Sequence, residues 1–458
     1  MTASPLLHGP ILPTLLRLAV PNVFAMLAAT AVGIGETLYV GLLGKTELAA
    51  MALVFPLVML MQMFSAGAMG GGVSSAISRA VGAGNAERAR ALAVHALLIG
   101  VTAGVGLTLL VWATGASIYR LLGGSGEVLR QAILYGAWVF GAVPAIWLFN
   151  TMISLVRGSG EMRVPSAAIL IVSLVQIAIG AVLGLGLLGF PRLAMPGVAL
   201  GQVISYWLAA GVLWWFVRSG RTRVQLALRG VELQWPLFQD ILRVGALACL
   251  SPLLTVGTVL VVTSLVAAHG NDALAGYGIG ARLEFLLVPI AFGVGVAAVP
   301  MVGMAIGAGN VARARRVAWT AGGVSAALLG SIGVVVVLFP DAWAGWFTRD
   351  AAVLEHARTY LRWAGPGFPL LGLGLTLYFA AQGAGNVKAP VAAAFFRFLF
   401  VVLVGGAVAA TASLATLFAI VGGAMAIYGV LTALGIRWTT WGPRAAAPLA
   451  PAGVSRPS

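Results

Sequence analysis

The sequence predicts an all-α integral membrane protein with twelve transmembrane helices in two six-helix bundles related as parallel repeats. Three observations predict this. Charged residues make up only 9% of the 458 positions and apolar residues 60%, whereas a soluble chain covers its surface with about 25% charge. Apolar stretches long enough for a ~30 Å hydrocarbon core recur along the whole chain. Two polar loop sequences also return at constant spacing, which divides the apolar stretches into equal halves.

Breaks at charges and at Gly/Pro/Asn clusters place the spans at 15–40, 50–75, 92–115, 132–155, 165–189, 197–217, 244–267, 275–303, 317–339, 364–384, 390–410 and 414–436. Most are apolar all round, which marks helices surrounded by lipid and by other helices. The first contains Pro21 and Glu36 and is preceded only by His8 and Arg17. Ala29-Thr30-Ala31 resembles a cleavage site, but the repeat gives the segment a counterpart, so a retained span is expected. The second is methionine-rich, with Met51, Met59, Met61, Met63 and Met69, which would suit either a plain apolar span or an adaptable cavity wall. The seventh contains no acid.

Basic residues orient the chain. With the N-terminus inside, eighteen fall on the cytoplasmic side, among them Arg17, Arg79, Arg88, Arg157, Arg163, Arg221, Arg223, Arg229, Arg313, Lys388, Arg444 and Arg456. Seven fall outside: Lys45, Arg120, Arg130, Arg192, Arg349, Arg358 and Arg362. The excess puts both termini in the cytoplasm, in a multi-pass arrangement expected in a bacterial inner membrane. The net charge of +15 then reflects sidedness and gives no reason to expect nucleic acid. Trp112, Trp343, Trp346 and Trp363 at outer ends, with Trp214, Trp215, Trp438 and Trp441 at inner ends, form an interfacial belt.

The repeat has an offset of 225. Gly82-Ala83-Gly84-Asn85 matches Gly307-Ala308-Gly309-Asn310, and each is followed by an Ala-Arg-rich stretch. Arg157-Gly158-Ser159-Gly160 matches Gln382-Gly383-Ala384-Gly385, with Pro165 and Pro390 following in register. Leu48-Ala49-Ala50 matches Leu274-Ala275-Gly276, shifted by one. Gly-Ala-Gly-Asn suits a tight reversal through positive φ. Six spans per half bring both halves in and out on one side, so the halves are parallel repeats. The expected division is an N-terminal lobe at 1–217, a cytoplasmic linker at 218–243, a C-terminal lobe at 244–436 and a tail at 437–458.

With these features together, the sequence resembles the multidrug and toxic compound extrusion (MATE) family of the MOP flippase superfamily. The resemblance covers essentially the whole chain. It rests on the paired repeats, the Leu18-Ala19-Val20-Pro21 opening of span 1, Glu36 with Gly41 through Gly44 beyond it, and Gly276-Tyr-Gly-Ile-Gly-Ala-Arg-Leu-Glu284. It implies an antiporter that exports organic cations or other amphipathic compounds by alternating access, driven by inward H⁺ or Na⁺. The superfamily alternative is a flippase of a lipid-linked polysaccharide precursor. The resemblance also implies that Glu36, at the position where relatives usually carry an acid, binds the coupling ion. An acid in span 7 is absent here, which favours a mechanism in the first lobe.

The residues support the same emphasis independently. Only Glu36 and Glu284 lie well inside spans, where a carboxylate costs ~2.5–3.5 kcal/mol and is expected to have a function. A simple interfacial Glu is the competing reading for Glu36. Glu284 has two readings, a second site or a structural ion pair with Arg282 or Arg397. Gln62, Asn150, Gln176, Gln202 and Tyr206 are candidates for a polar cavity network in the first lobe, or for interhelical hydrogen bonding alone.

The remaining motifs point away from enzymes. Gly184-Leu-Gly-Leu-Leu-Gly189 follows no strand and reads as helix packing. His8, His95, His269 and His356 are scattered, and Cys249 is alone, so neither a metal site nor a disulfide is expected. A transporter without a cofactor is expected, monomeric, whose partners are the lipid bilayer and small amphipathic or cationic substrates.

Overall fold

The structure, a computed structural model, describes residues 5–220, 222, 231–408 and 413–442. Part of the linker and most of the tail, with Arg221, Arg223, Arg229, Arg444 and Arg456, lie outside the described residues. The described residues form helices and contain no strand. Eleven are long and apolar enough to cross a membrane: α1 Ile11–Leu43, α2 Lys45–Gly82, α3 Ala86–Leu121, α5 Arg163–Leu185, α6 Ala194–Arg218, α7 Trp235–Ala267, α8 Asn271–Gly307, α9 Val311–Leu338, α10 Ala351–Gly383, α11 Lys388–Val408 and α12 Leu414–Trp438. The twelfth, α4, is a pair, Gly126–Gly141 and Val143–Gly158, bent by 41° at its break.

Most helices run past the spans read from hydropathy, because capped polar turns extend them. Asn85 accepts the Arg88 backbone N–H at 2.8 Å and Asn310 accepts that of Arg313 at 2.9 Å, capping α3 and α9 identically. Gly84 and Gly309 before them adopt φ of +72° and +77°, the reversal expected from the repeat. Span 4, expected as one continuous helix, is bent because Pro144 at the start of its second half cannot donate to the first. Helix α7 begins at Trp235, inside the stretch assigned to the linker. Pro236 in its first turn favours helix initiation, while Gln239, Asp240 and Arg243 had masked its apolar face.

The two repeats exchange their first helices at one end. Leu15 and Ala19 of α1, with Leu6 before it, pack into a core built by α8, α9 and α10. Leu237 and Ile241 of α7 pack into the core of the first lobe. The C-terminal part of α1, with Tyr39 and Val40, stays in the first-lobe core. Pro21 falls near the change of neighbours and interrupts the α1 hydrogen-bond ladder there.

At the same end α2 crosses α8 through small residues. Ser78 and Gly82 on α2 meet Gly303 and Gly307 on α8, and the two pairs are related by the repeat offset. A Cβ at Gly82 would lie 2.6 Å from Met304 Cα, and one at Gly307 2.9 Å from Arg79 C. Such residues let backbones touch directly, which is how helices associate where lipid supplies no hydrophobic drive. This closed end carries the Gly-Ala-Gly-Asn loops, the side read from sequence as cytoplasmic.

Candidate functional site

Glu36 lies on α1 and is 6% exposed. Its Oε2 accepts a hydrogen bond from Gln176 Nε2 of α5 at 3.1 Å, whereas Oε1 has no partner among the described residues. Tyr39, one turn along α1, is also buried, and its hydroxyl is unpartnered. Tyr39, Tyr135 and Tyr206 all interact electrostatically with the carboxylate. The carboxylate is therefore oriented on one oxygen and open on the other, in a pocket that offers hydroxyls and no opposite charge among the described residues.

A second polar cluster lies in the same lobe. Asn150 Nδ2 donates to Ser65 Oγ at 2.8 Å and to Gln62 Oε1 at 3.3 Å, and Gln62 Nε2 donates to the Tyr206 hydroxyl at 3.2 Å. Phe149 meets the Tyr206 ring edge-on at 5.4 Å. Ser65 belongs to a π-helical stretch of α2, Met63–Met69, whose widened turn turns it toward α4. Four of the five expected polar residues thus join two clusters. Gln202 on α6 is buried, but among the described residues its side chain hydrogen-bonds to neither cluster. Met51, Met61 and Met69 are buried in the first-lobe core.

Glu284 forms no ion pair with Arg282 or Arg397 among the described residues, which corrects the structural pairing considered from sequence. Tyr360 donates its hydroxyl hydrogen to Glu284 Oε1. Arg397 instead donates to Thr255 Oγ1 at 2.8 Å and lies over the Tyr428 ring at 5.0 Å. Arg282 lies over Phe347 at 5.5 Å. Each guanidinium lies over an aromatic face, Arg397 Nε has no hydrogen-bond partner among the described residues, and the carboxylate is hydrogen-bonded by a tyrosine.

Sequence reading missed the pair Asn22 and Arg157. Arg157 was assigned to the cytoplasmic surface but is 3% exposed. Its Nη2 donates to Asn22 Oδ1 at 2.9 Å, and Asn22 Nδ2 donates to the Gly293 carbonyl at 3.2 Å, linking α4 through α1 to α8. Its repeat counterpart Gln382 donates to the Gly67 carbonyl at 3.2 Å, and Ser75 donates to the Gln382 carbonyl. A polar Asn directly after Pro21 was the available signal. His95 is structural: Nδ1 meets the Ala91 carbonyl at 2.7 Å and Nε2 accepts the Gln234 backbone N–H at 2.9 Å. No group of three or more metal-binding side chains occurs among the described residues.

Two six-helix halves exchanging their first helices, with buried polar sites between helices, define a multi-pass membrane transporter. Comparison with known proteins agrees. The MatE family profile matches the chain twice, over residues 21–182 and 248–408, and the chain belongs to that family, the MATE transporters. Members are transporters, not enzymes. A probable multidrug resistance protein NorM of Thermotoga maritima is 26% identical over 83% of this chain and 82% of its own length. An FAD transporter of Shewanella oneidensis is 24% identical over 78% of each chain. The outward-facing structure of a multidrug resistance MATE family transporter superposes with a TM-score of 0.86 at 24% identity, covering 96% of this chain and 97% of that one.

Proposed function

We propose that the chain is an antiporter that exports organic cations or other amphipathic compounds, coupled to H⁺ or Na⁺ entry through Glu36. The observation that carries this is the buried carboxylate with one oxygen held by Gln176 and the other unpartnered. Ionised, it attracts a cationic substrate. Neutralised by a proton or a sodium ion arriving from outside, it releases that substrate. Exchange of one such ion for one monovalent cation moves no net charge, so the ion gradient itself drives export, each tenfold step supplying about 1.4 kcal/mol. The NorM relative, named for multidrug resistance, supports the substrate class. Closure at the loop-bearing end is what an outward-facing state of such a transporter requires.

The rest of the reading follows the sequence: a monomer in a bacterial inner membrane, both termini cytoplasmic, with lobes at 1–217 and 244–436. Glu284 with Tyr360 is a candidate second site. Flipping of a lipid-linked precursor is the alternative, and the buried Arg157 is the one observation that favours it, as an anionic headgroup would need a cation on its path.

Transport into reconstituted vesicles under an imposed pH or sodium gradient tests the assignment. Glu36→Gln should abolish gradient-driven dye transport, while Glu284→Gln retains it at a lower rate. Undiminished coupled transport by Glu36→Gln would refute it.

A further inference from the structure

A cavity of about 860 Å³ opens at the closed end, away from Glu36. Its walls come from both repeats: Arg79 lies on α2 and Arg88 on α3, Asp240 and Arg243 lie on the first turns of α7, Gly307 ends α8 and Gly385 comes from the loop after α10. Three guanidiniums face a single carboxylate among the described lining residues. Asp240 divides its oxygens, one to Arg79 at 2.6 Å and one to Arg88 at 3.1 Å, so neither arginine has a two-point partner. Arg243 is exposed and has no ion-pair partner among the described residues. The N-termini of α3 and α7 begin at Ala86 and Trp235 beside the cavity, and their dipoles add positive potential. Trp235, 64% exposed at the rim, suits the membrane interface.

We propose that this cavity binds a phosphate-type oxyanion, supplied either by the headgroup of an anionic lipid or by a free phosphate compound. Arginine forks match phosphate oxygens, and five N–H donors on each guanidinium exceed what one aspartate can accept. The volume accommodates a headgroup. Because both repeats build the walls, the site is complete only while α2 and α8 are crossed. An occupant therefore holds that end closed, since a ligand shifts a population by its differential affinity for the two states. Arg79 makes the link direct: a Cβ at Gly385 of the second repeat would lie 2.7 Å from its Nη1.

The test uses the full chain. Native mass spectrometry from phosphatidylglycerol nanodiscs, with phosphatidylcholine nanodiscs as the control, counts retained lipid. Titration of the detergent-solubilised protein with inorganic pyrophosphate measures the free arm. Arg88→Gln and Arg243→Gln should each weaken binding about fivefold, the effect of ~1 kcal/mol per arginine near a membrane surface. Asp240→Asn should strengthen it, an opposite sign that misfolding would not produce. Loss in either arm supports the site and identifies the source. If Arg88→Gln fails to fold, the exposed Arg243→Gln carries the test. Equal binding by the parent, Arg243→Gln and Asp240→Asn in both arms overturns the proposal.

Discussion

Gly82→Ala should force open the end of the molecule that is closed here. The added methyl would meet the Met304 carbonyl oxygen first and lie 2.6 Å from Met304 Cα, where ordinary contact begins at 3.4 Å, so α2 and α8 must part by at least about 0.8 Å. Backbone is on both sides, and no rotamer change relieves the clash. Overpacking of this kind costs about 1–3 kcal/mol, and all of it falls on the crossed state, so the closed-to-open ratio should drop about 5- to 150-fold. A single reporter thiol reads this out. Ser78 is fully buried at the crossing, so Ser78→Cys in a Cys249→Ser background should react slowly with maleimide and faster once Gly82→Ala is added. Gly278→Ala is the control, because a Cβ there meets nothing within 4 Å. Labelling of the Gly82→Ala protein no faster than that of the control would show that the crossing does not limit opening.

Gln176→Leu removes the side-chain hydrogen bond to Glu36 and should reduce coupled transport at a fixed gradient, with the ion dependence shifted rather than lost, as measured in vesicles. Asn22→Leu leaves the Arg157 guanidinium without its acceptor and should lower stability by about 1.5–3 kcal/mol, read as thermal unfolding in detergent. Adding Arg157→Leu should recover part of that loss, and no recovery would contradict the pairing. Beyond the end of α9, Arg358 hydrogen-bonds Asp341 through both oxygens and holds its carboxyl below the ordinary 3.8. A carboxyl depressed in the folded state stabilises above the ordinary value and loses that contribution as pH falls through the folded one. A spin label at Trp346→Cys should therefore gain mobility in acid, and Asp341→Asn should remove the pH dependence.

Hydropathy and the repeat sufficed for the helical membrane fold, because both are written locally. Glu36 stood out for the same reason: a charge in an apolar span is visible without coordinates. What escaped depends on partners distant in sequence. Arg157 reads as a surface cation until Asn22, 135 positions away, is placed beside it. The Glu284–Arg397 pairing fails because Thr255 and Tyr428 take the guanidinium, and neither choice is legible from spacing. The bend in α4 was signalled by Pro144, yet its angle is set by packing. The π-helical widening at Met63–Met69 has no hydropathy signature at all.

The exchange of first helices bears on how this duplicated chain is made. The inner part of α1 completes the core of the second half, and that of α7 completes the core of the first. Arg313 on α9 also holds the N-terminal segment through the Leu6 and Gly9 carbonyls, at 3.1 and 2.7 Å. In a nascent chain the N-terminal part of the leading helix therefore waits for residues such as Gly293, 271 positions beyond Asn22, before it has its permanent neighbour. Gene duplication produced two similar lobes here, but biogenesis must treat them as one object, and severed halves should be competent only when produced together.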